Sequence, residues 1–323
     1  MRYRLLGNTG LRVAELFLGA MRFHEDGAAR RVLDRYDDAG GNVVDTASMY
    51  GESENVVGRL LEGRRDRFVL ATKYTGTRDA RDPNAGGNHR KNLVLSLEES
   101  LRKLRTDYVD LLWVHVWDHH TPVEETMRAL DDVVRAGKVL YVGISDAPAW
   151  VVAHANTLAA WRGWTPFAGL QVPYSLLERD VERELLPMAE AFGMTVAAWG
   201  PLAHGVLAGK PTDDPRALAV ARVVGEVAKE LNATPAQVAL AWTMARSRAV
   251  HPLAGASSVE QLDANLVALD LALPPEAVAR LEDATGFTLG FPGDFIAGAA
   301  RVFGEAAAEG RVSGRPTPFR TAR

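Results

Sequence analysis

Short apolar runs recur along the chain, and between them lie longer segments whose apolar residues fall at helical spacing. The runs are LFLGA at 16–20, NVVDT at 42–46, FVLATK at 68–73 and VDLLWVHV at 109–116, then VLYVGIS at 139–145, GLQVPY at 169–174, TVAAW at 195–199 and VHPLAG at 250–255. ARRVLDRYDDAG (29–40), NVVGRLLEG (55–63) and NLVLSLEESLRKLRTD (92–107) carry the helical period. Thr121-Pro122-Val123-Glu124 and Thr234-Pro235-Ala236-Gln237 both read as capping boxes with proline at the first helical position. Gly40, Gly63 and Gly137 stand where helices stop.

Strands that alternate with helices predict βαβ units and a parallel sheet. Eight units fit a closed barrel about as well as a long open sheet, and no Pro/Ser-rich linker divides the chain. The reading adopted is an α/β fold, one (β/α)8 barrel domain over residues 1–323. Residues 1–13, with Asn8, Thr9 and Gly10 as turn, would form a hairpin at the barrel floor. Two segments break the rhythm. YTGTRDARDPNAGGNHR (74–90) is a long polar loop after a strand end, and from about 286 to 323 runs a Gly/Ala-rich mouth segment and tail. In that tail FIAGAARVF (295–303) could form a short helix over the mouth, and the last ten residues read equally well as a frayed end.

Composition narrows the partners. With 47% hydrophobic and 24% charged residues and a net charge of -4, the chain has no global attraction for nucleic acid or an anionic membrane. The absence of cysteine excludes disulfides, a thiolate zinc site and a cysteine nucleophile. The opening MRYRLLGNTGLRV lacks an apolar stretch of signal length, so a cytoplasmic location is expected, and the sequence does not specify an oligomeric state.

Side chains alternate along a strand, which puts Asp45, Lys73 and His115 at the last inward position of three consecutive strands, on the face where barrel enzymes keep their active sites. Tyr50 follows Asp45 within one turn. Taken singly, each has an ordinary reading: a helix-capping Asp, a snorkelling Lys, a core His, a packing Tyr. Together they make a chemistry. A phenol is a weak acid at neutral pH unless a cation and a hydrogen-bond donor stabilise its phenolate. Lys73 would be the cation, Asp45 would orient it, and His115 would donate to the substrate oxygen. Such a group protonates a carbonyl but supplies no electrons. HVWDHH (115–120) suggests a rival, a metal-dependent barrel hydrolase, although no other strand end offers a second ligand set.

DTASMYG, ATKY, DLLWVH, VGIS, QVPYSLLER and GASSVEQLDANL stand in an order and spacing that resemble the aldo-keto reductase family, from residue 3 to about residue 290. PNAGGNHRKN, TPVEETMRALDDVVRAGKVLYVGIS and LGFPGDF are similar to its aryl-alcohol dehydrogenase-like branch. The resemblance implies an oxidoreductase reducing an aldehyde or ketone, with a catalytic tetrad of Asp45, Tyr50, Lys73 and His115. It also implies a nicotinamide cofactor bound extended across the mouth, entering first and delivering its pro-R hydride. No strand is followed by the Gly-rich fingerprint of a Rossmann domain.

By the same resemblance the cofactor would meet Gly19, Ala20, Met21, Asp45, Ser145, Asp146, Gln171 and Trp199. Gly200, Leu202 and Gly205 would carry its pyrophosphate, and Ala256, Ser257, Gln261 and Asn265 its adenosine phosphate. Two departures matter. Asp146 stands where asparagine is commoner, and GASSVEQLDAN (255–265) holds no lysine or arginine. Ser257, Ser258 and Gln261 at a helix start would have to hold a 2′-phosphate less strongly than an arginine fork. NADP(H) is favoured, with NAD(H) the alternative. Phe23, Met49, Tyr74 and Trp117, with Met21, would line an apolar pocket for a small carbonyl compound: an aryl aldehyde, a polyketide-type ketone or a keto-sugar. A rival of another class is a cofactor-binding regulatory subunit with little turnover.

Overall fold

The computed structural model describes residues 1–308. Ahead of the barrel, β1 (Tyr3–Leu5) and β2 (Arg12–Ala14) pair antiparallel. The barrel strands are β3 (Phe17–Gly19), β4 (Val43–Asp45), β5 (Val69–Tyr74), β6 (Val109–Val114), β7 (Val139–Ser145), β8 (Phe167–Pro173), β9 (Thr195–Trp199) and β10 (Val250–Gly255). All run parallel, and pairing of β10 with β3 closes the ring. Each predicted run overlaps its strand, because strands buried on both faces must be apolar nearly throughout.

The two faces of each strand serve different cores. Outward residues such as Val44, Leu70, Leu112, Val142 and Val196 pack beneath the helices. Inward residues Phe17, Val43, Val69, Leu111, Trp113 and Ala197 fill the barrel. Trp113 is the largest of these and is wholly buried. Its indole occupies the space that side chains on the neighbouring strands would need: a Cβ at Gly143 would lie 2.4 Å from the ring, and one at Gly169 2.8 Å.

The hairpin seals the floor as expected, with Leu6 and Val13 packed against the inward core. Gly7, at φ +52, passes so close to Ala168 that a Cβ would stand 2.4 Å from its carbonyl oxygen. Buried Glu15 accepts from Arg2 at 2.7 Å and Arg4 at 3.0 Å, and Arg2 and Arg4 reach the carbonyls of Leu269 and Arg248. The start of the chain is thereby tied to the segments around β10.

Helix ends follow the sequence in part. Thr234 and Gln237 form the predicted capping box, and Gly40, Gly63 and Gly137 all take positive φ. The box at Thr121 does not form. That helix starts at Val123 with Pro122 as cap, because the Thr121 hydroxyl donates instead to Asp118 at 2.6 Å. Towards the C-terminus a helix forms over Gly293–Gly298 and a 3-10 turn over Ala299–Phe303. Phe291, Phe295 and Phe303 there are exposed. The last ten residues lie outside those described. Among the described residues, no helix is long and apolar enough to cross a membrane.

Candidate active site

Asp45 ends β4 and Lys73 stands one residue before the end of the adjacent β5, both on the inward face and buried. Lys73 Nζ donates to Asp45 Oδ1 and, at 2.9 Å, to the carbonyl of Thr46. It lies 4.8 Å from the centroid of the Tyr50 ring. His115 meets that ring edge-on, with centroids 5.7 Å apart and planes at 82°. The four residues expected to converge therefore do so.

The turn that carries Tyr50 over the mouth is built by backbone bonds. Ser48 N–H donates to Lys73, Tyr50 N–H to Ala47, and Ser53 N–H to Tyr50. Behind it the Thr46 and Ser53 hydroxyls lie 2.7 Å apart, and Ser53 donates onward to the Ala20 carbonyl at 2.7 Å. Both hydroxyl residues are fully buried. Glu54, next in the helix Ser53–Leu61, accepts from Thr72 at 2.7 Å. Burial pushes its carboxyl up. None of Thr46, Ser53 or Glu54 was singled out by sequence. The polar S-E step at a helix start facing two apolar strands is the signal that could have found them.

Electrostatics at the cluster are set by dehydration. Burial pushes the Tyr50 hydroxyl above the ordinary tyrosine range, outweighing the opposing pull of Lys73. From the sequence alone only the pull of Lys73 is expected. Burial, reinforced by the charge of Lys73, brings His115 down to about 4, so its ring is neutral at physiological pH. Its Nδ1 is buried without a partner.

The remaining assigned residues surround this group. Gln171 Nε2 donates to Asp45 Oδ2 at 3.1 Å, a tie between β8 and β4 that sequence did not foresee. Ser145 ends β7, fully buried. Asp146, at φ 45, accepts from the Trp199 indole N–H at 3.1 Å. Trp199 is partly exposed at the end of an otherwise buried strand. Ala20 N–H donates to Asp45, fixing the end of β3 against β4. Gly19 pairs with Gly255 across the barrel's closure. After β9, Gly200, Ala203, His204 and Gly205 all take positive φ, and the Leu202 carbonyl accepts from Gly205 and Leu207. Lys210, which sequence did not assign, packs its stem 3.6 Å from the Cβ position of Gly205. At the next strand end Ser258 caps the helix Val259–Val267. Gln261 Oε1 accepts from Ser257 N–H at 2.9 Å, while Ala256 and Asn265 are buried.

Two of the pocket residues must be corrected. Tyr74 is 1% exposed and donates to the Asn88 carbonyl. With Lys73 pointing into the barrel, alternation turns Tyr74 outward into the helix-facing core. Phe23, 2% exposed, also belongs to that core. Met49 and Met21 are exposed, and Trp117 packs edge-on against the exposed Trp150 at a centroid distance of 5.7 Å. In the HVWDHH segment Asp118 is engaged by Asn88, His120 and Thr121, and the rings of His119 and His120 lie tilted at 42° with centroids 4.0 Å apart.

Donation of a proton to an oxygen, with the counter-charge buried behind the donor, suits this mouth to one class, a barrel oxidoreductase acting between carbonyl and alcohol. The chain belongs to the aldo/keto reductase family, whose model matches residues 15–285. It is 41% identical over 318 residues to norsolorinic acid reductase stcV of Emericella nidulans, covering 89% of this chain and 82% of that protein. It is 38% identical over 324 residues to norsolorinic acid reductase A of Aspergillus parasiticus, covering 91% and 84%. An NADP(+) aryl-alcohol dehydrogenase of Phanerodontia chrysosporium is 36% identical over 337 residues, covering 90% and 88%. These relatives place it in the aryl-alcohol dehydrogenase-like branch.

Proposed function

We propose that the protein reduces an aryl aldehyde or ketone to the alcohol with NADPH, and that Tyr50 is the proton donor. The observation that carries the proposal is the buried Lys73 ammonium between the Asp45 carboxylate and the Tyr50 ring. Asp45 aims the Lys73 ammonium at the ring. Tyr50, kept protonated by its dehydrated setting, gives its proton to the substrate oxygen, and Lys73 stabilises the phenolate left behind. Neutral His115 donates a second hydrogen bond to that oxygen and adds no competing charge.

The mouth fits an extended dinucleotide. Trp199 offers a partly exposed ring beside Ser145 and Gln171. Because Gln171 gives an N–H to Asp45, its Oε1 is the end left to accept from a carboxamide. Around Gly200 nothing lies within 4 Å of the Cβ position, which leaves room for phosphate oxygens against the backbone. The reduced nicotinamide would supply the hydride. The aryl preference is supported by the likeness to the Phanerodontia chrysosporium aryl-alcohol dehydrogenase and by the exposed Met21 and Met49.

The test is NADPH oxidation with a panel of aryl aldehydes, aryl ketones and keto-sugars. Tyr50→Phe should lower kcat by about 10²–10⁴ while leaving NADPH affinity intact. Unchanged kcat in that variant would remove Tyr50 from the mechanism. NADPH binding without turnover of any carbonyl would favour the regulatory reading instead.

A further inference from the structure

The segment 255–265 lacks the basic residue that a 2′-phosphate would want, and the fold brings one to it from the other end of the chain. Where β3 and β10 close the barrel, a cavity of about 350 Å³ opens between Ser257 on one side and Arg22, His24 and Glu25 on the other. Behind these residues lie Phe23 and Val32 of the buried core. The neighbouring Arg35 is already engaged, pairing with Asp263 at 2.7 Å. Among the described residues neither Arg22 nor Glu25 appears in an ion pair or side-chain hydrogen bond, and both are accessible.

We propose that Arg22 is the cation that recognises the 2′-phosphate of NADP(H). The proposal rests on the reading that the adenosine end of the cofactor lies at 255–265. Ser257 and the amide end of the helix Val259–Val267 receive the phosphate from one wall. The guanidinium closes on it from the other, as a charge-assisted fork that hydroxyls alone cannot match. Glu25 in the same wall sets the opposite preference. With Arg22 present its charge is offset. Without Arg22 it repels a dianion and can accept from the 2′-hydroxyl of NAD(H). Loss of Arg22 should therefore shift the cofactor preference towards NADH, beyond weakening binding in general.

Binding is measured directly, by fluorescence titration with NADPH and NADH and by calorimetry with 2′,5′-ADP and 5′-AMP. Wild type, R22Q, R22K and E25Q are compared. R22Q should weaken NADPH and 2′,5′-ADP by about ten- to a hundredfold and leave NADH and 5′-AMP unchanged. R22K should keep part of the preference, and E25Q should tighten the two phosphorylated ligands. An R22Q protein that keeps the NADPH preference, or loses affinity for both dinucleotides alike, overturns the assignment of Arg22. A wild type that binds NADH as tightly as NADPH overturns the underlying cofactor reading as well, which separates the two failures.

Discussion

Replacing Lys73 with methionine removes the ammonium and keeps most of the stem. The Lys73 side chain is 0% exposed and that of Asp45 3%, so no water waits to take over. What remains for the carboxylate is the Gln171 N–H at 3.1 Å. Removing one partner of a buried ion pair costs about 3–5 kcal/mol, mostly because the other charge is left uncompensated. Lys73→Met should lose about that much in urea unfolding at pH 7. The double variant Asp45→Asn/Lys73→Met has no buried charge and should recover most of the lost stability without recovering carbonyl reduction. A single variant within about 1 kcal/mol of wild type, or a double variant less stable than the single, would refute the pairing argument.

Two further outcomes follow from burial. Burial holds His251 down to about 4, against the opposing effect of its Nδ1 hydrogen bond to the Ala14 carbonyl. Its folded pKa lies below its unfolded one, so its contribution is complete above about pH 6.5 and is lost as the pH falls towards 4, by about 3 kcal/mol. His251→Gln should flatten the fall of unfolding free energy across that window, and an unchanged slope would contradict it. Gly143→Ala should cost about 1–3 kcal/mol in chemical denaturation, since the new methyl meets the Trp113 ring. No loss would mean that Trp113 can move aside.

The strands were legible because a parallel barrel demands long apolar runs, and Asp45, Lys73 and His115 were legible because alternation along those runs fixes their direction. The same alternation, applied one residue further, would have turned Tyr74 outward. Thr121 was misread because a capping box in sequence competes with any nearby carboxylate, and Asp118 takes the hydroxyl. Thr234 has no such competitor and caps its helix. The tie from Gln171 to Asp45 joins residues 126 positions apart, and Arg22 shares a cavity with Ser257 only through the closure of the ring. Neither proximity leaves a local trace.

That closure also sets an order for the chain's birth. Phe17 pairs with Leu253, so a nascent chain that has reached Ala249 holds seven of the eight barrel strands and an open sheet. The edges of β3 and β9 then both present unpaired amides on apolar strands, the kind of surface that invites neighbouring chains. The first strand does not wait alone. Asn42 accepts from Ala14 N–H at 2.9 Å and donates back to the Arg12 carbonyl, and β1 pairs with β2. These short-range bonds can form early and hold the head of the chain in place until its last barrel strand leaves the ribosome.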